Sequence, residues 1–230
     1  MQTSMRDDRV PDPPPAPADR FTPAFPVLGL YDPIIRLLTR ERAWRTALLA
    51  SLDPRAGELI VDAGCGTATF LGDIGRHVPG VALIGIDPDE RILDRARHKL
   101  AAMGVAAELH RGYLRDLAGL LSGREAHKIT SSLVFHQVPL PEKRAGLAAM
   151  HAALAPRGKV LIADYGLQRT AAMRALFRIV QCVDGFEDTQ PNADGCMPAL
   201  MREAGFVDVA ETRVFATLTG SISIYCGTKA

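Results

Sequence analysis

Short apolar segments alternate with amphipathic segments along most of the chain. Mainly apolar segments of strand length lie at 59–63, 82–86, 129–135 and 159–163, and a shorter, more mixed segment at 107–110 is also predicted to be a strand. The stretches between them place apolar residues at helical spacing. Alternation of strand and helix at this rhythm predicts an α/β fold with a doubly wound, mostly parallel sheet.

The pattern changes after the fifth predicted strand. A predicted helix at 171–183 is followed by an irregular polar stretch at 184–195 and a short helix at 198–204. Two strands at 207–216 and 221–225 then predict an antiparallel hairpin at the sheet edge. Long polar connections are often functional, so this part of the chain, residues 166–205, is predicted to be a substrate lid rather than an inert loop.

The amino-terminal part divides into a tail and a helix. Residues 1–27 are rich in proline and poor in aliphatic side chains, which predicts a mobile tail, with a docking motif as the alternative. Asp32 and Pro33 are a helix start, and apolar positions continue to about Leu52. The folded domain is therefore predicted to cover residues 28–230.

Composition narrows the possible functions. The chain has 230 residues and a formal charge of +1, with no dense basic patch, so a nucleic-acid partner is not expected. Its four cysteines form no C-x-x-C pair, which favours reduced thiols in a cytoplasm over a disulfide frame or a zinc site. We expect no metal, no secretory signal and no integral membrane association.

A glycine-rich turn follows the first predicted strand, in the sequence ELIVDAGCGTATF at 58–70. Gly64 and Gly66 allow the backbone to turn sharply and approach a ligand closely. Asp87, at the end of the second strand, can accept hydrogen bonds from ribose hydroxyls. A dinucleotide fingerprint would need a third glycine at Thr69, and no Walker lysine is present, so neither of those sites is indicated.

This turn and its spacing from Asp87 resemble class I S-adenosylmethionine (SAM) dependent methyltransferases. The segments SSLVFHQVP, HAALAPRGKVLIADYG and GSISIY further resemble small-molecule enzymes of ubiquinone and menaquinone biosynthesis. The resemblance runs from about Tyr31 to the carboxyl terminus. It implies a Rossmann-like seven-stranded sheet with a reversed last strand, SAM as cofactor, and a small-molecule methyl acceptor. The cofactor-binding residues that it implies are Asp62, Gly64, Cys65, Gly66, Asp87, Pro88, Tyr113, Leu114, Ser131 and Tyr31.

Three positions depart from the pattern of that family. Tyr113 stands where an acid often accepts the adenine amino group, and it could instead stack on adenine or lie at the rim of the site; Asp116 could substitute for the acid. His127 stands where strand four usually opens with an acid, and Ala68 replaces a glycine.

His136 directly follows the fourth predicted strand, so it is expected at the ligand crevice. We predict that it is the catalytic general base, with a strand-capping role as the alternative. The predicted activity is methyl transfer to an O- or C-nucleophile of a small molecule, with nitrogen less favoured. The alternatives are a protein of this fold that binds SAM without transferring methyl, such as a cyclase or a regulatory binder, and an interaction protein that uses the proline-rich tail.

Overall fold

The computed structural model describes residues 38–230, which form one seven-stranded sheet with helices on both faces. The strand order is β3-β2-β1-β4-β5-β7-β6. The helices are α1 Glu41–Leu52, α2 Thr69–His77, α3 Glu90–Met103, α4 Leu117–Leu120, α5 Leu140–Ala153, α6 Ala171–Asp184, α7 Phe186–Ala193 and α8 Met197–Glu203. The strands are β1 Leu59–Ala63, β2 Ala82–Asp87, β3 Glu108–Arg111, β4 Ala126–Ser132, β5 Leu154–Tyr165, β6 Val207–Thr217 and β7 Gly220–Thr228.

Strands β1 to β5 are parallel, and β7 pairs antiparallel with both β5 and β6. The predicted parallel sheet with an antiparallel carboxyl-terminal hairpin is therefore confirmed. β1 is buried along its whole length because helices cover both faces of the sheet. One apolar cluster lies on each face, the first around Trp44 and Phe70 and the second around Phe135 and Met150.

The strand order reverses between β1 and β4, because β2 and β3 continue on one side and β4 and β5 on the other. In an open α/β sheet this switch point leaves a crevice at the carboxyl ends of the strands, and ligands bind there. The residues at or just beyond those ends are the glycine turn after β1, Asp87 at the end of β2, and the connection from β4 to α5.

The predicted extent of the fourth strand is wrong. The strand covers Ala126–Ser132 rather than 129–135, and Phe135–Gln137 form a single 3₁₀ turn. Leu133 adopts a left-handed conformation with φ 56°, which a continuing strand does not permit. Residues 133–139, here called the β4–α5 connection, therefore fold back across the sheet edge.

The prediction of an irregular segment at 184–195 is also wrong, since most of it is helix α7. Glu187 and Asp188 in the first turn complement the helix dipole, and Thr189, Asn192 and Ala193 bury one face. The helix contains Pro191, which sequence reasoning reads as a helix breaker. Tertiary packing of the buried face overrides that local preference.

The predicted tail at 1–27, Tyr31 and the start of the amino-terminal helix lie outside the described residues. Helix α1 confirms the carboxyl-terminal part of that helix, which ends at Leu52. Within residues 38–230, no helix has the length and apolar character needed to cross a bilayer.

Candidate active site

The glycine turn is held against the end of β2. The N–H groups of Gly64 and Cys65 both donate to the carbonyl of Ile86, at 2.8 and 2.9 Å. Gly64 has φ +79°, and a Cβ added to it would lie 2.3 Å from Cγ2 of Val134 in the β4–α5 connection. Residue 64 must therefore be glycine both for its backbone conformation and for the close approach of Val134.

Gly66 differs from Gly64 in what surrounds it. Its φ is +53°, yet a Cβ added to it would meet no atom of residues 38–230 within 4 Å. The turn is thus packed on the side of Gly64 and open on the side of Gly66. Such an opening beside a backbone turn is the space that a ligand approaching the main chain requires.

Asp87 borders the open side of the turn. Its Oδ2 accepts a hydrogen bond from the Gly66 N–H and its Oδ1 accepts one from the Asp89 N–H, both at 3.0 Å. Burial raises the pKa of Asp87, and the two hydrogen bonds oppose that rise. Each carboxylate oxygen keeps acceptor capacity for one further donor, as recognition of two neighbouring hydroxyls requires.

Asp62 is a buried carboxyl one residue before the end of β1. Burial raises its pKa to about 7, although a hydrogen bond from Thr130 Oγ1, at 2.9 Å, and the charge of Arg45 oppose that rise. Ser131 donates to the carbonyl of Ala63 at 2.7 Å, so its hydroxyl fixes the end of β1.

The thiol of Cys65 is buried beside the two aspartates. Burial raises the pKa of Cys65, and the charges of Asp62 and Asp87 add to the effect. The thiol is therefore protonated and unreactive at neutral pH. A role for Cys65 in cofactor binding rests on its backbone and its volume.

The predicted adenine side carries Pro88, Tyr113 and Leu114 beyond β2 and β3. The guanidinium of Arg115 lies over the Tyr113 ring at 4.6 Å, and the carboxylate of Asp116 accepts the N–H of Tyr113 at 3.0 Å. The Leu114 side chain packs against Gly146 of α5. Their contacts with adenine stay predictions.

His136 is buried and held by two carboxylates. Its Nδ1 lies 2.7 Å from Oδ1 of Asp164, and its Nε2 lies 3.4 Å from Oδ2 of Asp184 at the end of α6. Burial alone would lower the pKa of His136, but Asp164 and then Asp184 outweigh it and raise the pKa to about 9. The ring is therefore mainly an imidazolium at neutral pH.

Asp164 organises the β4–α5 connection from the end of β5. Its Oδ2 accepts the N–H groups of Val134 and Phe135, at 3.0 and 2.6 Å, and its Oδ1 also accepts the N–H of Tyr165 at 2.7 Å. The side chain is fully buried. Together with the His136 contact, these bonds satisfy the carboxylate and fix the connection.

Lys143 is a site residue that sequence reasoning missed. Its ammonium group is buried and donates to the carbonyls of Phe135, Val138 and Asp188, the last two at 2.6 and 2.9 Å. Burial lowers the pKa of Lys143, and the charge of Asp164 opposes this effect. A signal was present in the sequence, because Lys143 shares helical spacing with the buried positions Gly146, Leu147 and Met150.

His127 and the predicted base lie at opposite ends of the sheet. His127, at the amino-terminal end of β4, accepts the N–H of Leu59 through Nδ1 at 2.9 Å. It therefore supplies the hydrogen-bond acceptor that an acid would supply there. His127 therefore has a structural role at the amino-terminal end of β4. Its presence is compatible with ligand binding at the crevice.

The residues at the crevice fit SAM as the cofactor. The open side of the turn at Gly66 offers room beside the main chain, and Asp87 offers carboxylate acceptors at the edge of that room. This sheet, with its reversed last strand, and this glycine turn are typical of class I SAM-dependent methyltransferases. In agreement, residues 60–158 match the profile of the family described as "Methyltransferase domain".

Relatives of known name agree with this class. The chain is 25% identical over 151 residues to a demethylmenaquinone methyltransferase of Deinococcus radiodurans. The aligned region covers 65% of this chain and 61% of that protein. It is 29% identical over 106 residues to a carboxy-S-adenosyl-L-methionine synthase of Trichodesmium erythraeum, which covers 46% and 41%. The chain thus matches about two fifths to three fifths of the length of these relatives.

A solved structure shares the fold. Magnesium protoporphyrin IX methyltransferase from Synechocystis, determined with bound S-adenosylhomocysteine, superposes with a TM-score of 0.65 at 19% identity, covering 83% of this chain and 84% of that one. The predicted fold is therefore confirmed, and the family match and the named relatives agree with the predicted class and cofactor.

Proposed function

We propose that this chain transfers the methyl group of SAM to an O- or C-nucleophile of a small molecule, with a nitrogen nucleophile less favoured. The observation that carries the proposal is the glycine turn, packed at Gly64, open at Gly66 and bordered by Asp87. When bound, SAM supplies an electrophilic methyl group on a sulfonium. The task of the chain is to hold the nucleophile in line with that methyl and to exclude water.

We propose Asp62, Gly64, Cys65, Gly66, Asp87, Pro88, Tyr113, Leu114, Ser131 and Tyr31 as cofactor-binding residues. The carboxylates are suited to ribose hydroxyls and to a cationic ligand. Four of these residues, those of the turn and Asp87, are linked through hydrogen bonds around Ile86 and Gly66. Tyr31 lies outside the described residues, so its part in the proposal rests on the sequence alone.

We propose His136 as the general base, in a pH range that the neighbouring carboxylates of Asp164 and Asp184 determine. A base must be unprotonated, and a pKa of about 9 makes the neutral imidazole a minor form at neutral pH. In this role the rate would rise with pH through about 9. If His136 instead serves as a fixed cation between Asp164 and Asp184, the rate would show no rise there.

A carbon nucleophile is supported by the name of a relative in Shewanella pealeana, a ubiquinone/menaquinone biosynthesis C-methyltransferase that is 24% identical over 140 residues. We propose residues 166–205 as the lid over the acceptor. Its helix α6 ends at Asp184, whose carboxylate faces His136, so this segment reaches the crevice. We assign no nucleic-acid partner and propose a cytoplasmic location, which is supported by four cysteines that form no disulfide.

A second candidate is chemistry on SAM without methyl transfer to an acceptor. It is favoured by one specific observation, the similarity to a carboxy-S-adenosyl-L-methionine synthase. Incubation with SAM labelled in its methyl group separates the two candidates. Methyl transfer predicts label in an acceptor and release of S-adenosylhomocysteine, and SAM modification predicts label that stays on a SAM-derived product.

The experiment should pair a panel of quinols, phenols, enols and amines with the full chain. Labelled product with a quinol, phenol or enol, absent with amines, would support the proposal. A labelled amine product alone would contradict the O- or C-preference. Lack of SAM binding in calorimetry would remove the whole proposal.

A further inference from the structure

The β4–α5 connection, residues 133–139, is bound from its two sides by opposite charges. Asp164 accepts N–H groups of Val134 and Phe135, and Lys143 donates to the carbonyls of Phe135 and Val138. Both charged side chains are fully buried. Burial of a charge is costly unless it is paired and hydrogen-bonded, and here all three donors of Lys143 meet carbonyl groups.

Two helices of the proposed lid are attached to the same connection. Asp184 at the end of α6 contacts Nε2 of His136, and the backbone carbonyl of Asp188 in α7 accepts the third bond of Lys143. Asp164, Asp184, His136 and Lys143 therefore form a network of two carboxylates and two cationic side chains between sheet and lid. An apolar side chain at position 143 would fill space but could not hold α7 to the connection.

The connection also touches the cofactor turn. Val134, whose N–H is fixed by Asp164, fills the space beside Gly64 so closely that a Cβ there would collide with it. A displacement of Val134 would thus alter the packed side of the glycine turn. Contacts run without a gap from Asp188 in α7, through Lys143 and the connection, to Gly64.

We propose that Lys143 is a positioning residue that couples the SAM-binding turn to helix α7 of the lid. Its ammonium group contacts the carbonyls of Phe135, Val138 and Asp188, so it acts through the β4–α5 connection. Binding of SAM at the glycine turn then stabilises the lid, and a docked lid in turn favours SAM, because coupling between two sites is reciprocal. This inference rests on the proposed function.

The test compares two buried lysines. Lys143→Met removes the ammonium group and keeps a similar shape. The matched control is Lys128→Met, because Lys128 is also buried, at 7% exposure, and bonds to the Asp53 carbonyl and to Glu58 at 2.5 and 2.6 Å, near the amino end of β4 and away from the crevice. Both variants are expected to lower the unfolding temperature.

SAM affinity is measured by calorimetry, and amide hydrogen exchange of residues 186–193 is measured with and without SAM, at a temperature where the proteins are folded. We expect Lys143→Met to weaken SAM binding about tenfold or more and to abolish the slowing of exchange in α7 that SAM causes in the wild type. Lys128→Met should keep both properties. If Lys143→Met does not fold, Lys143→Gln replaces it with the same expectations, because its side chain stays polar but cannot donate to all three carbonyl groups.

The outcomes distinguish a failure of the proposed coupling from a failure of the proposed function. Wild-type protein that binds SAM, together with a Lys143→Met variant of unchanged affinity and unchanged protection of α7, would overturn the coupling and leave the proposed function standing. Equal losses in Lys143→Met and Lys128→Met would assign Lys143 a purely structural role and also overturn it. Wild-type protein that does not bind SAM would overturn the proposed function and the coupling together.

Discussion

The Nδ1 atom of His136 lies 2.7 Å from Oδ1 of Asp164, and both side chains are buried. This pair joins the connection after β4 to the end of β5, and it keeps the imidazole charged. A protonated histidine in such a pair stabilises the folded state through its charge. The free energy of unfolding therefore depends on pH, and the shift of the histidine pKa gives the direction.

The pH dependence of unfolding should reveal that charge. The pKa of His136 is about 9 in the folded state and near 6.5 in an unfolded chain, so folding favours the protonated form. The stabilisation is complete below about pH 6.5 and is lost as pH rises through about 9, amounting to about 3 kcal/mol. Urea unfolding of wild type and His136→Phe between pH 6 and 10 measures it. The variant should lack this loss, and a parallel decline in both proteins would contradict the prediction.

The Asp62 carboxylate should lower the stability of the fold at neutral pH while it favours SAM binding. Its folded-state pKa of about 7 exceeds the usual value of an aspartate, so stability falls as pH rises from about 4 to 7. Asp62→Asn should therefore gain up to about 4 kcal/mol at pH 7.5 and little at pH 4. It should also bind SAM at least about tenfold more weakly. Thermal unfolding at the two pH values and calorimetry test both statements, and a variant that is less stable at pH 7.5 would refute the first.

The two glycines of the turn should respond differently to alanine. Gly64→Ala places a methyl group against Val134 at a positive φ, which should lower the free energy of unfolding by about 2–4 kcal/mol. Gly66→Ala meets no neighbour in the described part of the chain, so it should lose only about 1–2 kcal/mol, while its methyl group enters the open side of the turn and weakens SAM binding. Gly64→Val should abolish SAM binding.

Denaturant unfolding and calorimetry on both alanine variants decide this prediction. The double variant Gly64→Ala with Val134→Ala serves as a control, since removal of the Val134 methyl groups should recover part of the stability lost in Gly64→Ala. Equal stability of the two single variants, or wild-type SAM affinity in Gly66→Ala, would show that the two sides of the turn have been assigned wrongly.

Asp87 and Asp89 offer a matched pair for the cofactor. Asp87→Ala should weaken SAM binding by about one to two orders of magnitude, because hydrogen bonds to a charged group contribute roughly 1.5–3 kcal/mol each. Asp89→Ala removes the N-cap of α3, whose Oδ1 accepts the Arg91 N–H at 2.8 Å, so it should cost about 1 kcal/mol of stability and leave SAM affinity unchanged. Calorimetry with SAM separates the two variants. NADH serves as a negative control, since it should not bind to the wild type.

The cofactor half of the site could be predicted from the sequence because its residues are close along the chain. Gly64 and Gly66 carry their backbone requirement in their own residue type, and Asp62 and Asp87 lie on two strands that the apolar pattern already identifies. Parallel strands of one sheet bring their carboxyl ends to the same edge, so the placement of Asp87 beside the turn followed from fold class alone.

The sequence by itself thus determined the fold class, with its mostly parallel sheet and antiparallel hairpin, and the glycine turn that borders the crevice. Only the tertiary structure decided that His136 is held as a cation, that 184–195 is mainly helical and that Lys143 is buried beneath the crevice. The reason is physical: Asp164 meets His136 from 28 residues away, and Lys143 meets the carbonyl of Asp188 from 45 residues away. The pKa of a buried group depends on such neighbours, which no local pattern contains.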